Sequence, residues 1–219
     1  MLALGLDTAT DVCAVAVLDG DRVLFEAALD VPRAHGRRLA PLVSEAFAHV
    51  GCAPGDLGVV AVSAGPGSYT GLRIGMSTAK GLALATGCAF AAVPTLAALA
   101  DGTSGSVAVV LPSRRGEVYA AVVRGGAFER APAALAVPDV STWLPSDLDA
   151  LGGPGASRLT SVRPDVARRS LRASGAAVAR LGWHRLATRG PDDPSSAEPL
   201  YLKAVAVSQP RGIFPASPL

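Results

Sequence analysis

The sequence predicts an α/β fold in which a mixed sheet is covered by helices. Three observations predict it. The first 30 residues alternate apolar segments with short polar turns, as strands of an antiparallel meander do. From about residue 35 the apolar spacing changes to threes and fours, the period of an amphipathic helix. Beyond that, uninterrupted apolar runs alternate with helical segments, the pattern of βα units whose strands are buried on both faces.

Element by element, residues 2–6 are apolar, Asp7-Thr8-Ala9-Thr10-Asp11 is a polar turn, and residues 12–18 are apolar again. Asp19-Gly20-Asp21 holds the Asp-Gly pair favoured in tight hairpins, and residues 22–29 follow as a third strand. Leu39, Leu42, Val43, Ala46, Phe47 and Val50 then share one face of a helix over about 35–49. Gly51 stops it and Pro54 follows, as at a helix C-terminus. Residues 58–64 are a continuous apolar strand. Gly65-Pro66-Gly67-Ser68-Tyr69-Thr70-Gly71 is a rigid turn that opens a second helix over about 72–85, with Ser68 or Thr70 as its cap. Residues 89–93 are another buried strand, and Pro94-Thr95 opens a short helix to Ala100.

Asp101-Gly102-Thr103-Ser104-Gly105-Ser106 is a small polar linker, which sets a domain boundary between 1–102 and 103–219. The second half starts over. Residues 107–111 and 118–123 read as strands, with Gly125-Gly126 a hairpin turn. Residues 131–165, rich in Pro, Gly and Ser, read as loop, and 165–188 as a helix weakened by Gly175 and Gly182. Residues 191–199 are turn-like and 201–207 a last strand or short helix. The tail from about 209, with three prolines, is expected to be unpacked. The second half reads as a degraded echo of the first.

Composition narrows the function. Half of the 219 residues are apolar and 17% are charged, the opposite of a disordered chain. A net charge of +2 argues against a dedicated nucleic-acid binder. It hides an asymmetry: residues 1–110 carry 6 basic and 9 acidic side chains, residues 111–219 carry 14 and 9. Eighteen of the 20 basic residues are Arg and Ala occurs 42 times, so Arg counts here as composition bias as much as signal. Three cysteines without a CxxC pair read as buried thiols of a reducing cytoplasm. The start MLALGLDTATD has no basic region and Asp7 interrupts its apolar run, so no signal peptide is expected. The uncharged stretch 81–100 has the length of a bilayer span, but Gly87 and Pro94 cut it into a helix end, a strand and a helix start, so no membrane segment is expected.

Little catalytic chemistry is visible. His35, His49 and His184 are the only histidines and none has a ligand-spaced partner, so no metal site is expected. GxSxG is absent, and no histidine is placed to activate Ser68. The segment Gly65–Gly75 is not a P-loop. A glycine-rich turn before a helix can bind an anion through backbone N–H groups, with Arg73 beside it, or can serve only a tight turn and a close helix–sheet approach; spacing leaves both open. Kinases and chaperones of the actin/hexokinase superfamily place an Asp and a Gly-containing turn against nucleotide phosphates. Here Asp7 is followed by Ala9 and Thr10 where glycine would be wanted, so autonomous ATP binding is not expected. Gly71, Gly75, Ala79 and Ala83 recur every fourth residue, flanked by Leu72, Met76 and Leu82. Such a ridge admits either the protein's own sheet or a partner's helix. Arg168, Arg169, Arg172, Arg180, Arg185 and Arg189 would line the second-half helix, as a solvated face or as an RNA phosphate contact.

In order along the chain stand LGLDTAT and its hairpin, then His35 before Arg38-Leu39-Ala40-Pro41. The run Gly65-Pro66-Gly67-Ser68-Tyr69-Thr70-Gly71-Leu72-Arg73-Ile74-Gly75 continues into Lys80-Gly81-Leu82-Ala83, and Arg115-Gly116-Glu117-Val118-Tyr119 and Glu198-Pro199-Leu200-Tyr201-Leu202-Lys203 follow. In that order they resemble the TsaB (YeaZ) family, which takes part in making N6-threonylcarbamoyladenosine in bacterial tRNA. The first half is covered almost without gaps, the second only near its ends. The resemblance implies a two-lobed actin-like (ribonuclease H-like) α/β fold. It implies a cytoplasmic, non-catalytic scaffold with no cofactor, pairing with the catalytic, metal-holding homologue TsaD and joined by the ATPase TsaE. It also implies homodimerisation when alone, and tRNA contact through the complex. The N-terminal helices carry the pairing in that family. Carried over, the partner-binding residues are Leu39, Leu42, Val43, Ala46, Gly71, Leu72, Gly75, Met76, Ala79 and Ala83, and bulk at Gly75 or Ala79 should block pairing while sparing the fold. The signature loop is Gly65, Pro66, Gly67, Ser68, Tyr69, Thr70 and Arg73. The alternative is an actin-fold small-molecule kinase that binds ATP by itself.

Overall fold

The computed structural model describes residues 1–203. The described residues form two five-stranded sheets. The first contains β1 (Leu2–Asp7), β2 (Val12–Asp19), β3 (Arg22–Asp30), β4 (Leu57–Ser63) and β5 (Ala89–Val93), in the order β3-β2-β1-β4-β5. β1, β2 and β3 are an antiparallel meander, and β4 and β5 add in parallel to β1. The second contains β6 (Ser106–Pro112), β7 (Glu117–Arg124), β8 (Ala127–Ala136), β9 (Ala150–Gly152) and β10 (Ala167–Arg169), in the order β10-β9-β6-β7-β8. Read from β8, it repeats the first sheet: three antiparallel strands, then two parallel ones. The echo legible in the sequence is therefore topological, and the result is the two-lobed actin-like fold.

Alternation along the strands of the first sheet assigns its two faces. Leu4, Leu6, Val15, Val17, Val60 and Val62 point to one side, where α1 (His35–Val50) and α2 (Tyr69–Thr86) bury their apolar stripes. Both helices end on a glycine in the left-handed conformation, Gly51 and Gly87, each at φ 73°. The opposite face presents small side chains, Ala3, Ala16, Ala61 and Ala91, and receives α5 (Gly175–Arg189). Their smallness lets backbones meet: a Cβ on Gly5 would run into the Gly175 carbonyl, and one on Gly175 would lie 2.5 Å from the Ala16 nitrogen. The boundary near residue 102 separates the two sheets, while α5, from beyond it, closes the first. α3 (Thr95–Leu99) packs Leu96 and Leu99 against β6 and β7 of the second sheet. On its other face that sheet carries α4 (Val140–Trp143) and Leu159.

Two sequence expectations are corrected. Residues 131–165 are not a loop throughout: β8 extends to Ala136, and α4 and β9 follow. β8 is an edge strand with partly exposed residues, where Pro132 costs no interior ladder bond and no alternation shows. Residues 165–188 are not one helix. β10 occupies Ala167–Arg169, all exposed, and α5 starts only after Ser174, whose hydroxyl accepts the Ala177 N–H at 3.1 Å. Arg168, Arg169 and Arg172 therefore do not share a helix face with Arg180, Arg185 and Arg189. Arg180 and Arg185 are ion-paired with Asp101 and Asp192. The uncharged stretch 81–100 divides among α2, β5 and α3, and no described helix is long and apolar enough to cross a membrane.

Candidate functional site

The signature loop joins β4 to α2 and is held against the turn after β1. Ser68 caps α2, its hydroxyl accepting the Gly71 N–H at 3.2 Å. Its own N–H donates to the Ala9 carbonyl at 2.8 Å. The Thr8 hydroxyl donates to the Gly71 carbonyl at 2.7 Å. A Cβ on Gly67 would collide with the Ala9 carbonyl and one on Gly71 with the Thr8 carbonyl. Gly65 exchanges hydrogen bonds with Thr95, at 3.0 Å from its N–H and 2.9 Å to its carbonyl. Of the two readings open to the glycines, the structure displays the close approach. Pro66 is buried in the turn, while Ser68, Tyr69, Thr70 and Arg73 are exposed.

Asp7, where an actin-type kinase would address phosphate, is completely buried. One of its oxygens accepts the Ala9 N–H at 2.9 Å and the other the Ser63 hydroxyl at 2.8 Å. Burial pushes its carboxyl from 3.8 up to about 6, against the pull of the Ala9 and Ser63 hydrogen bonds and of His35. The folded chain thus holds this proton more tightly than the unfolded chain. That stabilisation is complete below the unfolded value and is lost as pH rises through about 6. In Asp7→Asn the amide oxygen can accept the Ala9 N–H and the amide nitrogen can donate to the Ser63 oxygen, which reverses that bond, and neither group titrates. Between about pH 3 and pH 8 the wild type should lose about 3 kcal/mol of unfolding free energy relative to Asp7→Asn. Denaturant titrations across that range check it, and a constant difference would refute it. Cys13, pushed up to about 11 by burial and by Asp7, is a buried thiol.

The partner-face residues chosen from the sequence point inward. Leu39, Leu42, Val43 and Ala46 of α1, and Gly71, Leu72, Gly75, Met76, Ala79 and Ala83 of α2, are all buried in this chain. Gly75 has no room for a Cβ, which would strike the Thr8 hydroxyl and lie 3.2 Å from Val62. These ten residues build the fold, and bulk at Gly75 or Ala79 would damage it rather than spare it. The reason is geometric: a helix with small residues every fourth position offers them to whatever lies beneath, and here that is β1 and β4. The exposed surface of the two helices is the opposite side. On α2, Ser77, Gly81 and Ala85 form a second four-residue series, all exposed, beside Leu84 at 72% exposure. On α1, Ala40, Ser44 and Ala48 do the same. The sequence carried this series too, with the same spacing; only burial separates the two.

Between the lobes lies a cleft of about 650 Å³. The turn after β1 (Thr10), the signature loop (Pro66, Ser68), β6 (Leu111) and the segment Leu200–Lys203 line it. Among the described residues no three His, Cys, Asp or Glu side chains converge as a metal-binding group.

A family profile described as TsaD: tRNA N6-adenosine threonylcarbamoyltransferase matches residues 29–159. The tRNA threonylcarbamoyladenosine biosynthesis protein TsaB of Escherichia coli (strain K12) is 37% identical over 124 residues, 54% of this chain and 53% of that protein. The chain thus spans about half the length of that relative. An uncharacterized protein of Mycobacterium tuberculosis is 33% identical over 207 residues, 91% of this chain and 90% of its own. Among solved structures, YeaZ from Pseudomonas aeruginosa matches with a TM-score of 0.80 at 28% identity, covering 92% of this chain and 100% of that one.

Proposed function

Since the chain belongs to the TsaB (YeaZ) family of tRNA threonylcarbamoyladenosine biosynthesis, we propose that within that pathway it is a non-catalytic subunit that pairs with a TsaD-type transferase. The observation that carries this reading is the engagement of Asp7 inside the protein. Thr8 and Ala9 press on the backbone of the signature loop, and both oxygens of Asp7 are engaged inside the protein. Neither carboxylate oxygen is left to address a phosphate from the cleft beside the loop. Pairing is assigned to the outward faces of α1 and α2, where small residues let another helix pair approach closely. The same faces serve a homodimer when the chain is alone. The TsaE-type ATPase joins the pair in the cytoplasm, and tRNA contact belongs to the assembled complex.

Size-exclusion chromatography with light scattering tests the reading. The chain mixed with the TsaD of the same cell should form a discrete heteromer, and failure of two folded proteins to associate counts against it. Calorimetry with ATP and the chain alone should give no heat of binding. A micromolar affinity would favour the kinase alternative.

A further inference from the structure

The segment from Pro199 to Lys203 crosses from one lobe to the other. The Leu200 N–H donates to the Ala64 carbonyl at 2.7 Å, just past β4. Its own carbonyl passes so close over Gly65, at φ 112°, that a Cβ there would lie 2.6 Å away. The Tyr201 ring lies 5.2 Å from that of Tyr69, and its hydroxyl accepts a hydrogen bond from the Arg73 Nε at 3.2 Å. The Arg73 guanidinium in turn lies 4.3 Å over the Tyr69 ring. Two residues on, the Lys203 Nζ pairs with Glu117 at 2.5 Å, at the start of β7 in the other lobe. Four consecutive residues, Leu200 to Lys203, also line the cleft.

These anchors are unequal. The Lys203–Glu117 pair is partly exposed, with side chains 32% and 26% accessible. Such pairs contribute little unless their partners are already held in place. A tether of two residues from Tyr201 supplies that hold, because its short reach confines Lys203. Tyr201 is held by Tyr69 and Arg73, and both sit in the first turns of α2 with their side chains exposed.

We propose that residues 199–203 are a latch across the cleft, set from α2. A group that engages Arg73 from outside releases Tyr201, the Lys203–Glu117 pair loosens, and the cleft opens. The latch is a property of the chain alone, so its test does not depend on the pairing proposed above.

Amide exchange measured by NMR on the full chain decides it. Arg73→Met should raise Leu200 amide exchange about tenfold and shift the Lys203 resonances, while Val60 and Val62 of β4 stay protected. Tyr201→Phe, which removes one oxygen, should reproduce both changes. Glu117→Gln should act in reverse, shifting the Arg73 Nε resonance from the other lobe. If Tyr201→Phe leaves Leu200 and Lys203 unchanged, or if Glu117→Gln acts only on its own neighbours, the latch is wrong.

Discussion

Gly71→Ala lowers unfolding free energy by about 3 kcal/mol, whereas Gly81→Ala on the same helix raises it by about 0.5–1 kcal/mol. Both substitutions give α2 a better helix former. They differ in what the new methyl meets. At Gly71 it meets the Thr8 carbonyl, so the helix must lift from β1 and the hydrogen bond from the Thr8 hydroxyl to the Gly71 carbonyl is strained or lost. At Gly81 nothing lies within 4 Å. Gly75→Ala should resemble Gly71→Ala, since its methyl would strike the Thr8 hydroxyl and lie 3.2 Å from Val62. Urea titrations of the three variants measure the effect. Equal stabilities at Gly71 and Gly81 would mean that the helix does not sit on β1 as described.

On the proposed pairing, Gly81→Arg combined with Leu84→Asp should weaken binding of a TsaD-type subunit by about a hundredfold or more, close to 3 kcal/mol, and leave stability within about 0.5 kcal/mol. Gly81 belongs to the exposed series Ser77, Gly81, Ala85, and Leu84 beside it is the most exposed large apolar residue of the described chain. A long cation in place of Gly81 would hold an approaching helix away, and a carboxylate in place of Leu84 would bring an unpaired charge into the contact. Calorimetric titration gives the affinity, and the unfolding midpoint shows that the fold is intact. Unchanged affinity would move the partner surface elsewhere. Together with Gly71→Ala, this pair of variants separates the face that builds the fold from the face proposed to meet a partner.

Much of the first lobe was legible residue by residue. Its central strands β1, β2 and β4 are apolar and buried, so their pattern survives in the sequence, and Gly51 and Gly87 punctuate its helices where left-handed ends require glycine. The second lobe was less legible for physical reasons. β8 lies at an edge with a proline, and β9 and β10 are three residues each, too short for any period to show. Residues 165–174 carry helix-compatible Arg and Ala, but pairing of β10 with β9 takes three of them into the sheet. The importance of Leu200, Tyr201 and Lys203 had a signal in the run Glu198-Pro199-Leu200-Tyr201-Leu202-Lys203, though not their contacts, which join residues 128 and 86 positions apart.

By itself the sequence determined that the chain is a mixed α/β protein of two related halves. It also determined that the glycine-rich turn after β4 opens a helix. These follow from local periodicity, turn chemistry and the presence or spacing of residue types. Only the tertiary structure decided which face of α2 is buried. Gly71, Gly75, Ala79 and Ala83 and the series Ser77, Gly81, Ala85 obey the same helical period. Nothing local distinguishes them, and the choice falls to Thr8, more than sixty residues away, whose backbone lies against one series and not the other.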